Sequence, residues 1–252
     1  MFIYNIMQYI NESISKDTKM FKQMFDEASS TLTYLIADDE SKEAVLIDPV
    51  SNHINDYISI LNQYSLSLKY ALETHVHADH ITASGLLKQR LAAKTGVSEL
   101  CGAHTADLQL NAGDILLFGK QIIRVIATPG HTVGSLSFLW GDRIFTGDAL
   151  LINGCGRTDF QGGDAGMLFD SIKQKIFTLS DETLIYPAHD YNGKRVSSVV
   201  QEKTLNPRLA GKTRAEFIAI MRDLNLPKPK LIDMAVPSNR MCGVPEFEII
   251  QG

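Results

Sequence analysis

Five of the seven histidines in this 252-residue chain fall within four short polar motifs. They are Thr74-His75-Val76-His77-Ala78-Asp79-His80, Gly130-His131-Thr132, Thr146-Gly147-Asp148 and Ala188-His189-Asp190, with the fifth histidine in the last motif. Imidazole nitrogens and carboxylate oxygens together suit a first-row divalent metal, so the chemistry these residues imply is metal chemistry. His53 and His104 lie outside such patterns.

Spacing supports convergence. In extended backbone, residues two apart face the same way, so His75, His77 and Asp79 can project toward one point. His80 follows as the chain turns toward a helix and swings to a neighbouring point. Taken alone, Asp79 reads as a helix cap, His131 and His189 as loop histidines, and Asp148 as a turn residue. The density of the first motif, and the position of each later one at the close of a β segment, favour a shared metal site.

The elements that must position these residues are legible as patterns. Ser30–Ile36 and Glu43–Ile47 read as a hairpin, and Ile54, Tyr57, Ile58 and Leu61 have helical spacing. Tyr70–Glu73 is a short strand entering the first motif, followed by a helix over Ile81–Lys94 that ends near Gly96. Gln121–Ala127 is a strand stopped by Pro129-Gly130, and Ser135–Trp140 and Arg143–Thr146 flank a two-residue turn. Met167–Leu179 is amphipathic, Thr183–Tyr186 is a strand delivering His189, and Thr213 with Glu216 forms a capping box. The proline-rich tail from Leu226 is expected to be extended. Together these suggest two sheets covered by helices, with the motifs on loops at strand ends.

Composition narrows the function classes. The net charge of −5 argues against a general nucleic-acid or anionic-membrane binder. No apolar stretch approaches the roughly 20 residues of a membrane span. Cys101, Cys155 and Cys242 are widely spaced and odd in number, which favours a reducing interior. Residues 1–19 read as a variable N-terminal extension and 20–252 as one catalytic domain, with no room for a rhodanese-like second domain.

HxHxDH, then GHT, GD and HD in this order resemble the metallo-β-lactamase superfamily. Within it the chain is most similar to the persulfide dioxygenases, also called sulfur dioxygenases. The resemblance is carried by ETHVHADH (Glu73–His80), TPGHT (Thr128–Thr132), TGDALLINGCGRTDF (Thr146–Phe160), YPAHDYNG (Tyr186–Gly193) and LPKPKLIDMAVPSNRMCG (Leu226–Gly243), and it spans about Phe21 to Gly243. It implies an α/β fold, the αββα sandwich of two mixed sheets flanked by helices. It also implies one Fe(II) per chain held by His75, His131 and Asp148, a facial triad leaving adjacent positions open for a thiolate sulfur and O₂. The implied reaction oxidises glutathione persulfide with O₂ and water to sulfite and glutathione. His77, Asp79, His80 and His189 would lie beside the iron, orienting its ligands, or hold a second metal. A homodimer follows by family analogy. A bacterial chain of this family would be cytoplasmic, a eukaryotic one resident in the mitochondrial matrix.

Around the site, Arg157 either fixes a glutathione carboxylate by a bidentate pair or closes on Asp159. Tyr191 offers a hydroxyl to the substrate or serves as a structural tyrosine. Cys155 is an oxidisable thiol near the iron or a small buried residue between glycines. Asn239 and Arg240 either reach the glutathione pocket or pin the tail, and the residue order between Asn239 and Cys242 departs from the family's. The strongest rival is a two-zinc glutathione thiolester hydrolase of the glyoxalase II type. Against it stands the short segment after Asn206-Pro207-Arg208, where those enzymes carry a longer helical region. A β-lactamase fits less well, because those enzymes characteristically use cysteine in place of Asp148. The acidic charge disfavours a nuclease, and the complete ligand set disfavours a non-catalytic module.

Overall fold

The computed structural model describes residues 19–244. Residues 1–18, which hold nearly all of the expected extension, and the last eight residues lie outside the described part. The first strand already includes Lys19.

Two six-stranded mixed sheets face each other. The first has the order β1 (Lys19–Asp26), β2 (Thr31–Asp38), β3 (Glu43–Ile47), β4 (Ser67–Leu72), β5 (Lys94–Ser98), β6 (Leu108–Leu110), antiparallel as far as β3 and parallel beyond it. The second runs from β7 (Ile115–Phe118) through β8 (Gln121–Ala127), β9 (Leu136–Trp140), β10 (Arg143–Gly147) and β11 (Leu184–Pro187) to β12 (Ser197–Ser198), with only β10 and β11 parallel. Strand alternation divides the side chains between layers. Leu32, Tyr34 and Ile36 of β2 meet Phe138, Trp140 and Phe145 between the sheets. Leu35 and Ala37 face outward onto α1 (Ile54–Gln63) and α2 (Ser84–Leu91), through Tyr57, Leu61 and Leu87. On the far side Ile144 and Ile185 pack against Leu168, Ile172 and Ile176 of α3 (Ala165–Ser171) and its continuation, and against Phe217 and Met221. Each fully buried large apolar side chain contributes about 1.5–3 kcal/mol, so the central layer fixes the relation of the two sheets. This is the expected αββα sandwich.

Three sequence expectations need correction. The helix expected over 81–94 is shorter, because Ala92 turns left-handed (φ 56°) and closes α2 before β5 begins. Gly96 is no helix stop. It lies within β5, where a Cβ would come within 2.7 Å of Leu72, so close strand packing demands glycine. The proline-rich tail is not fully extended: beyond α4 (Val199–Leu205) and α5 (Arg214–Arg222), it forms α6 (Ile232–Arg240). Ile232, Ala235 and Asn239 are its buried stripe, and Pro237 sits on the exposed side, where water can hydrate the carbonyl it leaves unbonded. The Met167–Leu179 amphipathic stretch is an α-helix that widens at Ile172–Ile176, where Phe177 N–H donates to Ile172 O at 2.8 Å, five residues back.

The strand ends set the stage for chemistry. β4, β8, β10 and β11 deliver their following loops to one edge, where the sheets are stitched by Leu136 N–H to Thr74 O and Leu32 N–H to Ala188 O, both 2.7 Å. A β-bridge joins Thr31 to His189 there.

Candidate metal centre

The loop after β4 brings His75 to that edge, the turn after β8 brings His131, and the end of β10 brings Asp148. One ligand atom from each can be chosen so that all lie within 4.8 Å of one another. The His75 and His131 rings stand nearly perpendicular, 86° apart with centroids 4.8 Å apart, and His131 Nε2 is 3.7 Å from Asp148 Oδ2.

Hydrogen bonds fix which nitrogen each imidazole offers. The Thr74 hydroxyl donates to Asp48 Oδ2 at 2.9 Å, so its oxygen is left to accept from His75 Nδ1 at 3.0 Å. His131 Nδ1 donates to the Arg157 carbonyl at 2.7 Å. In both rings the Nε2 lone pair therefore remains available, as metal ligation requires. Burial, aided by neighbouring His77 and His131, pushes the His75 pKa well below the usual imidazole value, keeping the ring neutral. Burial opposes the charge on Asp148, but adjacent His189 outweighs it and holds the carboxyl well below the usual range.

A second group, His77, Asp79, His80 and His189, adjoins the first, and a third joins Asp48, Glu73 and His77. His189 spans two carboxylates, donating from Nδ1 to Asp148 Oδ1 at 2.6 Å and from Nε2 to Asp79 Oδ2 at 2.9 Å. Burial alone would lower the His189 pKa, yet these two acids raise it well above the ordinary value. For His77 burial likewise opposes protonation, and Asp48, 3.2 Å from Nε2, helps lift the pKa to about 9. His80 Nε2 and His77 Nδ1 are buried without a hydrogen-bond partner among the described residues. Such orphaned nitrogens, beside two oriented Nε2 atoms and an ionised carboxylate, fit a bound cation.

The surrounding residues divide. Tyr191 lies at the mouth, 65% exposed, its ring stacked on His189 at 5.8 Å and 6°. The Arg157 fork closes on Asp159, with Nε to Oδ1 at 2.6 Å and Nη2 to Oδ2 at 2.7 Å, and also holds the Leu226 and Pro227 carbonyls. It clasps the loop to the tail, while its own carbonyl orients His131. Cys155 is buried in the outer layer among Leu168, Phe217 and Met221. Asn239 is 5% exposed, and its amide is spent on backbone groups of His77 and His80 in the first motif and of Thr82 just beyond it. Arg240 is exposed at the end of α6. Asp48 was not singled out from sequence, and Glu73 and Thr74 were read only as flanks of the first motif. Asp48 carried one signal, an Asp-Pro pair closing an apolar strand, and it adopts φ 52° there.

The metallo-β-lactamase superfamily profile matches residues 27–189. The human protein named persulfide dioxygenase ETHE1, mitochondrial, is 52% identical over 228 residues, covering 89% of both chains. The crystal structure of ETHE1 from Myxococcus xanthus superposes with a TM-score of 0.88 at 54% identity, covering 89% of this chain and all of that one. The chain belongs to the persulfide dioxygenase family. As a family member it carries a His/Asp metal-binding site in a metallo-β-lactamase fold. Among the described residues, no helix is long and apolar enough to cross a membrane.

Proposed function

We propose that this chain is an Fe(II)-dependent dioxygenase that converts glutathione persulfide, O₂ and water to sulfite and glutathione. Its family membership supports the reaction, and the observation that carries the site assignment is the convergence of His75, His131 and Asp148 with both imidazole Nε2 atoms left free. Iron bound there would supply adjacent positions for a thiolate sulfur and O₂. The chain's own residues then do the positioning. Thr74 and the Arg157 carbonyl lock the two rings. His189 occupies Asp148 Oδ1, so Oδ2, on the His131 side, is the oxygen that would bind the iron. Hydrogen-bonded to both Asp79 and Asp148, His189 ties the buried ligand acid to the partly exposed one. Tyr191, exposed beside His189, presents a hydroxyl to the incoming persulfide.

The second reading is a two-metal centre, favoured by the unpartnered His77 Nδ1 and His80 Nε2. Metal analysis after anaerobic iron loading separates the two. The proposal expects about one iron per chain, lost in His75→Ala and His131→Ala and retained in His80→Ala. Two ions per chain, with one lost on removing His80, would overturn it.

A further inference from the structure

The Asn206-Pro207-Arg208 segment packs against the loop that follows β10, together with a buried acid. Glu202 of α4 and Asn206, the residue that caps this helix, are both fully buried. Glu202 pairs with no cation among the described residues. Its Oε1 accepts the Ser197 hydroxyl at 2.6 Å, and its Oε2 accepts the Asn153 amide at 3.0 Å and Asn206 Nδ2 at 2.8 Å. Asn206 Nδ2 also donates to the Gly154 carbonyl at 3.0 Å, while its Oδ1 accepts the Arg208 amide at 3.0 Å. Burying a carboxylate against neutral donors alone is costly, and core packing does not require it.

The pair grips a loop that reaches the metal centre. Asn153 is left-handed there (φ 57°), and Leu151 and Gly154 close the turn by exchanging backbone hydrogen bonds of 3.1 and 3.3 Å. Arg208 Nη1 adds a hold on the Cys155 carbonyl at 2.7 Å. The next two residues touch two of the three residues assigned to iron. Gly156 N–H donates to the Asp148 carbonyl at 2.7 Å, and the Arg157 carbonyl accepts from His131 Nδ1 at 2.7 Å.

We propose that Glu202 and Asn206 are positioning residues for the metal centre. By clamping Asn153 and Gly154 they fix the Gly156 and Arg157 backbone groups, and through them the angle at which Asp148 and His131 meet the iron. The inference rests on the assignment of those two residues as iron ligands and deepens it. Neither Glu202 nor Asn206 touches metal or substrate; both act through the loop.

The test uses the anaerobically iron-loaded protein, with chelator competition for Fe(II) and the EPR spectrum of its nitric oxide adduct, which reports the ligand symmetry at iron. Asn206→Asp keeps the shape and the Arg208 contact but turns a second carboxylate on Glu202 and on the Gly154 carbonyl. It should weaken iron binding about tenfold, the usual effect of losing a group that orients a ligand, and alter the spectrum. Asn206→Ala, which adds no charge, should move both readouts the same way, and carries the test alone where the aspartate variant does not fold. Glu202→Gln can give its amide to Ser197, whose hydroxyl then accepts, and keep its oxygen on Asn153 and Asn206. It should retain wild-type affinity and spectrum, whereas Glu202→Ala should lose both. Val199→Ala, in the apolar outer layer on the same helix, should lower Tm and leave the iron readouts unchanged. Wild-type affinity and spectrum in the Asn206 variants, or an equal loss of iron in Val199→Ala, would overturn the positioning role. A His131→Ala protein that keeps its iron would instead overturn the ligand assignment on which the role rests.

Discussion

Asn239 reaches from α6 into the first metal motif, and its removal should be felt at the metal. Its Oδ1 accepts the Thr82 amide at 2.9 Å, and its Nδ2 donates to the carbonyls of His77 at 2.9 Å and His80 at 2.8 Å. All three contacts are buried. At about 1 kcal/mol net per hydrogen bond, plus the cost of backbone groups left unsatisfied, Asn239→Ala should lose roughly 3–5 kcal/mol. In a chain of this size that is a fall in Tm of roughly 6–20 °C. Asn239→Asp keeps the shape and the Thr82 contact but aims a buried carboxylate at two carbonyls, and should be at least as damaging. Since the freed segment carries His77 and His80 and adjoins His75, iron affinity should fall about tenfold as well. Thermal unfolding gives the first quantity and competition with a chelator the second. A loss of stability with unchanged iron affinity would refute the idea that α6 braces the metal loop. No loss of either would mean the three hydrogen bonds carry no energy.

Three further outcomes are expected. A Cβ on Gly156 would come within 2.5 Å of the Asp148 carbonyl and 2.7 Å of His131 Nδ1, so Gly156→Ala should displace the His131 ring and reduce bound iron, measured by elemental analysis. Burial pushes the Cys101 and Cys155 thiols up to about 11 and raises Cys242 as well, so the native protein at neutral pH should resist iodoacetamide by mass spectrometry until it is unfolded. His53 sits between Asp26 (2.9 Å) and Asp56 (3.0 Å). Burial opposes its charge, but the acids win and raise its pKa, so its contribution to stability is complete below about pH 6.5 and fades as the pH climbs through the raised value. His53→Gln should flatten that part of the Tm–pH profile by a small amount, given the histidine's partial exposure.

The first motif was legible because its ligands are contiguous and strand alternation alone aims them. His131, Asp148 and His189 were legible only through their shared position at the close of β segments. What holds them was less visible. Thr74, Asp48 and the Arg157 carbonyl act through ordinary groups whose role exists only once distant loops meet. Asn239 was read as reaching the glutathione pocket or pinning the tail, but sequence could not say that its partners are backbone atoms 157 to 162 residues away. β5 and β6 are short and carry Gly96 and polar residues, so they lack a strand signature, and β5 follows α2 with no Gly or Pro to mark the break. Prolines masked α6, since its helical stripe is apolar and amide rather than continuous.

The central claim is most directly tested by oxygen uptake of the anaerobically purified, Fe(II)-loaded protein given glutathione persulfide, with sulfite assayed alongside. The account expects O₂ consumption matched by sulfite and abolished by His131→Ala. Absence of uptake from iron-replete protein, with glutathione thiolester hydrolysis by the zinc-loaded form, would contradict it.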